Sequence, residues 1–191
     1  MDRIAEVTRV TKETDIYIKI NLDGSGKSKI KTGIGFFDHM LEGFAKHGLF
    51  DLEVKVKGDL NVDCHHTIED TGIVLGEVIR RALGDKSGIK RYGNFLLPMD
   101  ETLVMCCVDL SGRPYYVSDL KFTNDRTGEM DNCMVDEFFY AISYSAMMNL
   151  HFVQMRGVND HHIIEATFKA FAKALDMATT VLSFVNFKSD T

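Results

Sequence analysis

The sequence is poor in the features that mark several classes of protein. Only two of its 191 residues are proline, which argues against a disordered or low-complexity chain. No apolar run approaches the ~18 residues that a bilayer span requires. The opening residues, 1–6, lack the apolar core of a secretory signal. We therefore expect a soluble protein that stays in the cytoplasm and has no membrane partner.

Cysteine and positive charge are also in short supply. The four cysteines, at 64, 106, 107 and 133, form no Cys-x-x-Cys pair, so free thiols in a reducing compartment are expected. Twenty-two Lys and Arg against 28 Asp and Glu give a net charge of −6, which argues against nucleic acid as a partner. What stands out instead is a set of seven histidines.

The hydrophobic pattern predicts two similar halves. Alternating apolar residues predict strands over 16–22, 52–58, 91–97, 103–110 and 150–157, and helical spacing predicts helices over 36–48, 63–84, 135–142 and 164–175. The order strand–strand–strand–helix–strand–helix is expected twice. It predicts an α+β fold in which the helices pack on one face of each sheet. One domain would then consist of two repeats, 1–89 and 90–191.

The two halves carry matching histidine motifs. His65-His66-Thr67-Ile68-Glu69 matches His161-His162-Ile163-Ile164-Glu165 at an offset of 96 residues. The preceding helices align at an offset of 98, which places Glu137 where the first half has His39. Two such motifs in equivalent helices favour a duplicated unit over chance.

The spacing of these motifs favours metal binding. Asp63 and Asn159 are good N-caps, which puts both histidine pairs in a first helical turn, with the glutamate three and four residues on. Adjacent histidines point about 100° apart on a helix, so they suit two ions better than one. Mixed imidazole and carboxylate ligands favour Mn, Fe, Co or Zn. The sequence therefore predicts a paired-metal site.

Four motifs together resemble one enzyme family. They are Gly35-Phe36-Phe37-Asp38-His39-Met40-Leu41, Asp63-Cys64-His65-His66-Thr67-Ile68-Glu69-Asp70, Leu110-Ser111-Gly112-Arg113-Pro114-Tyr115 and the segment from His161 to Ala170. In these segments the chain resembles the imidazoleglycerol-phosphate dehydratases, in register from about residue 3 to residue 178. The resemblance implies a duplicated fold of the ribosomal protein S5 domain 2-like type. It also implies two Mn²⁺ ions per active site and a large homo-oligomer of about 24 subunits with active sites between subunits.

The resemblance also implies roles for individual residues. The implied metal ligands are His39, His65, His66, Glu69, Glu137, His161, His162 and Glu165. The implied substrate contacts are Glu13, His39, His47, His65, Arg91, Arg113 and Lys169, the last three of these near the phosphate. Glu13, Glu69 and Glu165 are the implied catalytic carboxylates. His47 fits a helix-capping role equally well.

The implied reaction dehydrates D-erythro-imidazole glycerol phosphate to imidazole acetol phosphate and water in L-histidine biosynthesis. The carbon that loses its proton has no neighbouring carbonyl group to accept the charge. We expect metal-bound imidazolate to expel the neighbouring hydroxyl through a diazafulvene intermediate, with a carboxylate moving protons. The partner is thus a small phosphorylated imidazole.

Two other functions fit the same ligands. These residues could serve a di-metal hydrolase, or hold structural ions between subunits.

Two local features bear on phosphate binding. The sequence of residues 21–28 is similar to that of a phosphate-binding loop, but it lacks the first glycine of such a loop, and Asp23-Gly24 predicts a hairpin into a strand. The family's Ser-Ser-Lys-Gly-like phosphate loop is missing near the end of the sequence, where Lys188 and Ser189 are the nearest substitutes.

Overall fold

The computed structural model describes residues 3–182. The first half contains β1 (Ile4–Val10), β2 (Thr14–Asn21), β3 (Ser28–Lys31), α1 (Gly35–Gly48), β4 (Asp51–Gly58) and α2 (His65–Leu83). The second contains β5 (Tyr92–Met99), β6 (Thr102–Asp109), β7 (Tyr115–Ser118), β8 (Arg126–Thr127), β9 (Met130–Asp131), α3 (Met134–Ala146), β10 (Asn149–Arg156) and α4 (Asp160–Thr179). Among these residues, no helix has both the length and the hydrophobicity needed to cross a membrane.

The predicted α+β fold is confirmed, with one four-stranded sheet in each half. The strand orders are β1-β2-β4-β3 and β5-β6-β10-β7. In both sheets the last two strands in this order are parallel and the other pairs are antiparallel. The two halves therefore share one topology, and the second half adds a short antiparallel hairpin, β8–β9, before α3.

The predicted hairpin at Asp23-Gly24 is wrong. In the sheet, β4 lies between β2 and β3, so this segment crosses the end of β4 instead of joining two neighbouring strands. The Asp51 carboxylate at the start of β4 holds the crossing in place, because its Oδ1 accepts hydrogen bonds from the backbone N–H groups of Ser25 (2.8 Å) and Lys27 (3.0 Å). The segment leads into a strand, which excludes the strand–loop–helix arrangement of a P-loop.

The hydrophobic core joins the two halves through their helices. Alternate residues of the strands are buried under the helices, as Ile16, Ile18 and Ile20 of β2 show. Helices then pack across the halves, α1 against α4 and α2 against α3. The Phe37 ring of α1 packs edge-on against Phe138 of α3, with ring centroids 5.1 Å apart. This cross-packing brings the histidine-bearing helix starts of one half next to helices of the other half.

Two glycines allow α2 and α3 to approach closely. A Cβ atom at Gly72 would lie 2.7 Å from the carbonyl oxygen of Phe138, and one at Gly76 would lie 2.8 Å from that of Ile142. Real Cβ atoms do not come this close to a backbone atom. Glycine at both positions therefore sets the separation of these helices.

Candidate active site

The two histidine motifs lie at helix N-termini. In α4 the Asn159 side chain caps the helix by accepting a hydrogen bond from the His161 N–H at 3.0 Å, as predicted. In α2 the capping residue is Cys64, one residue later than predicted. Asp63 still accepts a bond from the His65 N–H at 2.8 Å, because an Asp side chain readily folds back onto the backbone two residues on.

The second motif meets His39 of α1. His161 and Glu165 lie one turn apart on α4, with Nε2 and Oε2 separated by 3.2 Å, and His39 Nε2 lies 3.8 Å from the same Oε2. One donor atom from each of the three residues lies within 4.8 Å of the others. The packing of α1 on α4 therefore forms a compact cluster of two imidazoles and one carboxylate.

The first motif forms a smaller, related group. His65 Nε2 lies 3.3 Å from Glu69 Oε2, which matches the pairing of His161 with Glu165. Glu137 is exposed in the first turn of α3, the helix that packs on α2. Within residues 3–182 its carboxylate forms no ion pair or hydrogen bond, so it does not close a three-donor cluster as His39 does.

The other histidine of each pair points to a different carboxylate. His66 Nδ1 lies 3.0 Å from Asp59, and His162 Nδ1 lies 2.8 Å from Glu101. The ring centroids of His161 and His162 lie 6.1 Å apart, and the two rings contact different carboxylates, Glu165 and Glu101. The bond from His162 lowers the pKa of Glu101 to about 2, and the bond to Asp59 raises the pKa of His66 above its ordinary value.

Asp59 and Glu101 are not among the site residues predicted from the sequence, although one signal pointed to Glu101. Glu101 directly precedes β6 as Glu13 directly precedes β2, and each is followed by a buried threonine, Thr102 or Thr14. Glu101 is thus the topological counterpart of the predicted substrate residue Glu13. Glu13 lies close enough to His66 to contribute to the raised pKa of that histidine, after the larger effect of Asp59. Each half therefore places a β-turn glutamate near the second histidine of a motif.

A cavity of about 370 Å³ lies beside the three-donor cluster. Its lining includes four of the predicted site residues, His39, His47, Glu165 and Lys169. The Lys169 ammonium lies 2.6 Å from Glu165 and neutralises part of its charge. Burial lowers the pKa of His47, and the neighbouring Lys169 lowers it further, so a neutral imidazole faces this cavity.

Two predicted phosphate residues lie far from this cluster. Arg91 donates its backbone N–H to Ala178, near the C-terminal end of α4. At 1.5 Å per residue, that end lies about 25 Å along the helix from His161. The backbone of Arg113 is tied by Asn149 beside the C-terminal end of α3, away from Glu137. Within a single chain, these arginines therefore lie far from the histidine–carboxylate cluster.

Arg91 has an ordered surrounding of its own. Its guanidinium pairs with Asp109 at 2.7 Å and lies 4.8 Å from the centre of the Tyr92 ring. Lys86 donates to the carbonyl of Leu110 nearby. Two basic side chains, one from each half, therefore lie close together here. The other predicted phosphate residues, Lys188 and Ser189, lie outside the described residues.

The clustered donors fit a divalent metal ion. Ligand atoms held at about 2.1 Å from one ion lie roughly 3–4 Å apart, and the separations at Glu165 Oε2 fall in this range. His66 and His162 each direct Nδ1 to a carboxylate, the arrangement that commonly orients a metal-binding imidazole through its other nitrogen. The residues present therefore suit borderline ions such as Mn²⁺.

The fold and this cluster define a two-sheet α+β protein with a histidine–carboxylate site at its helix N-termini. The family model described as imidazoleglycerol-phosphate dehydratase matches residues 32–175. The proteins named imidazoleglycerol-phosphate dehydratase from Lachnoclostridium phytofermentans and Acetivibrio thermocellus are 64% and 59% identical to this chain. These matches cover 95% and 94% of the chain, and 92% of each relative.

Solved structures give the same result. The crystal structure of imidazoleglycerol-phosphate dehydratase from Staphylococcus aureus matches with a TM-score of 0.85 and 39% identity, over 94% of this chain and 99% of that one. The enzyme from Pyrococcus furiosus, solved in complex with (S)-C348, matches with a TM-score of 0.81 and 36% identity, over 95% and 98%. The chain belongs to the imidazoleglycerol-phosphate dehydratase family, and its enzyme class is that of a hydro-lyase in histidine biosynthesis.

Proposed function

We propose that the protein dehydrates D-erythro-imidazole glycerol phosphate to imidazole acetol phosphate with two Mn²⁺ ions per active site. The observation that carries the proposal is the cluster of His39, His161 and Glu165, which brings together residues 122 and 126 positions apart in sequence. Family membership supplies the reaction, and the donor chemistry supports the metal.

The ligand set follows the two motifs. His39, His161 and Glu165 would hold one ion, and His65, Glu69 and Glu137 are the corresponding residues for the other. His66 and His162 contact other carboxylates, Asp59 and Glu101, so they suit an ion shared with another chain. Bound Mn²⁺ would supply Lewis-acid stabilisation of the substrate's imidazole ring.

The protein's own groups have separate tasks. Glu13 lies near His66 on an exposed turn, where its carboxylate is free to move a proton. Glu69 and Glu165 are candidate proton carriers as well as ligands, and Lys169 holds Glu165 in its ionised form, because this ion pair lowers the pKa of Glu165 against the opposing effect of burial. Lys169 and the two arginines, Arg91 and Arg113, would bind the phosphate.

The active site is proposed to lie between subunits of a large homo-oligomer. The separation of about 25 Å along α4 between His161 and the Arg91 end supports this arrangement, since a small substrate cannot reach both ends of one chain. The outer face of the second sheet also exposes a row of large apolar side chains, namely Tyr92, Leu96, Tyr115, Val117, Val153 and Met155. Such a surface is typical of a subunit interface.

Two further proposals concern origin and location. The shared strand order of the sheets supports a duplication, with repeats at 1–89 and 90–191. Four cysteines without a disulfide in the described residues support a reducing compartment, and we place the protein in the cytoplasm.

The direct test is to incubate the Mn²⁺-loaded protein with imidazole glycerol phosphate and to follow the enolised ketone product in alkali. We expect product without release of inorganic phosphate, and loss of product in His161→Ala. Phosphate release instead of ketone would indicate a di-metal hydrolase. Bound Mn²⁺ with neither product would leave the ions a structural role and contradict the proposal. Glu13→Gln isolates proton transfer, because near-normal turnover in this variant would remove Glu13 from that role.

A further inference from the structure

The segment that joins β7 to α3 has no counterpart in the first half. There, residues 32–34 connect the equivalent strand and helix directly, whereas residues 119–133 make the connection in the second half and form the β8–β9 hairpin. Because both halves reach the same sheet and helix arrangement, the longer segment is not needed to complete that arrangement. Its contacts indicate what it does instead.

The hairpin segment is fastened to α4 by one buried carboxylate. Asp160, the first residue of α4, is 4% exposed. It accepts bonds from the backbone N–H groups of Thr123 (2.9 Å) and Asn124 (2.7 Å), from the Asn124 side-chain amide (2.9 Å) and from the buried Asn132 amide (3.2 Å). The Thr123 hydroxyl is also within 3.2 Å. Hydrogen bonds to a charged acceptor are stronger than neutral ones, so the hydrogen bonds to Asp160 hold the hairpin segment firmly against the start of α4.

The same hairpin also touches the other helices that carry candidate ligands. The Cys64 thiol, at the start of α2, donates a weak bond to Asp131 of β9 at 3.7 Å. At the hairpin turn, a Cβ atom on Gly128 would lie 3.3 Å from the Cβ atom of Phe36 at the start of α1. The Phe36 ring lies 5.0 Å from the ring of His161. The hairpin therefore contacts the starts of all three helices that bear the histidines.

We propose that residues 123–132 act as a brace for the metal ligands, and that Asp160 is the positioning residue that fastens it. This inference rests on the proposed metal-binding role of His161 and His162. Both histidines lie in the first turn of α4, and first turns fray because their N–H groups lack partners within the helix. If the brace keeps this turn formed, the free energy of metal binding is not reduced by the need to order the ligands.

The first half shows why Asp160 carries the effect. The residue that corresponds to Asp160 at the same offset of 96 residues is Cys64. A thiol is only a weak hydrogen-bond donor. Cys64 holds the hairpin by one long contact, whereas Asp160 holds it by a set of short ones. Loss of the Asp160 carboxylate should therefore weaken the ion bound by the α4 motif more than the ion bound by the α2 motif.

The test compares Asp160→Asn with Glu129→Gln, which removes the same charge from an exposed position at the hairpin turn. Two quantities are measured on the metal-free protein: Mn²⁺ affinity by calorimetry, and amide hydrogen exchange over residues 123–132 and 161–165. We expect Asp160→Asn to weaken one of two Mn²⁺ sites about 10–100-fold and to speed exchange in both segments. Glu129→Gln should stay within about twofold of the wild type for the affinity.

Two results for Asp160→Asn would overturn the inference. One is an unchanged rate of amide hydrogen exchange, and the other is a wild-type Mn²⁺ affinity despite faster exchange. A merely structural role would lower the melting temperature and leave the affinity, measured well below it, unchanged. If Asp160→Asn does not fold, Asn124→Ala takes its place, since it removes one donor from an exposed residue. It should weaken binding a few-fold and speed exchange, and unchanged affinity would again overturn the brace. A wild-type protein that binds no Mn²⁺ would reject the proposed function as well.

Discussion

The close contact between α2 and α3 provides a quantitative test of how the two halves fit together. In Gly76→Ala, the added Cβ atom would lie 2.8 Å from the Ile142 carbonyl oxygen, 2.7 Å from the Ser145 Cβ atom and 3.0 Å from the Ala146 backbone nitrogen. Two of these three neighbours are backbone atoms, which cannot rotate away as a side chain would. Restoring an ordinary contact of 3.4 Å to Ile142 requires the helices to separate by about 0.6 Å.

The size of the effect follows from two opposing contributions. Replacing a helical glycine by alanine contributes about 1 kcal/mol of stability through helix propensity. Overpacking in a close-packed interface costs about 1–3 kcal/mol. Gly43→Ala in α1 is the matched control, because its Cβ atom would meet no atom within 4 Å. The propensity gain cancels between the variants, so Gly76→Ala should be less stable than Gly43→Ala by about 1–3 kcal/mol.

The assay is denaturant unfolding of both variants and the wild type, followed by circular dichroism at one protein concentration, because assembly adds to apparent stability. Gly43→Ala should unfold at higher denaturant than the wild type, and Gly76→Ala at lower or similar denaturant. Equal stabilisation by the two substitutions would refute the close approach of α2 to α3. The relative placement of Glu69 and Glu137 depends on this same approach, since these residues lie on the two helices concerned.

Three further predictions follow from the site and its surroundings. Lys169→Met should raise KM for the phosphorylated substrate about tenfold with a smaller effect on kcat, if Lys169 binds the phosphate in ground and transition states alike; an effect on kcat alone would contradict that role. Because Asp59 raises the pKa of His66 and a metal needs the neutral imidazole, Mn²⁺ affinity should fall as the pH is lowered through the range in which His66 gains its proton, and Asp59→Asn should move that fall to lower pH in a calorimetric titration. Asp51→Asn should destabilise the protein by about 1 kcal/mol in denaturant unfolding, because its carboxylate accepts bonds from Ser25 and Lys27, whereas no change would show that the β2–β3 crossing holds itself.

Much of the fold could be predicted because the sequence repeats its periodicity. Ile16, Ile18 and Ile20 alternate with polar residues, and this period specifies a half-buried strand. The hairpin β8–β9 could not be predicted, because its strands are two residues each and too short to show alternation. The error at Asp23-Gly24 has a different cause. Turn chemistry is local, whereas the position of β4 between β2 and β3 depends on pairing between distant strands.

The site shows the same division between local and distant information. The pairing of His161 with Glu165 follows from helical spacing alone and could be read from the sequence. The approach of His39 depends on α1 packing against α4, which the alignment of the two halves does not specify. The hydrogen-bonding role of Asp160 could not be predicted from the sequence, because its partners lie 28 to 37 residues away on an irregular segment.

The most direct test of the proposed metal site is a titration of metal-free protein with Mn²⁺, in which the dehydration of imidazole glycerol phosphate is measured at each step. We predict no activity without metal and a plateau at two Mn²⁺ ions per chain, with His39→Ala failing to reach it. Full activity in the metal-free protein, or none at saturating Mn²⁺, would contradict the central claim that these helix N-termini form a dehydratase metal site.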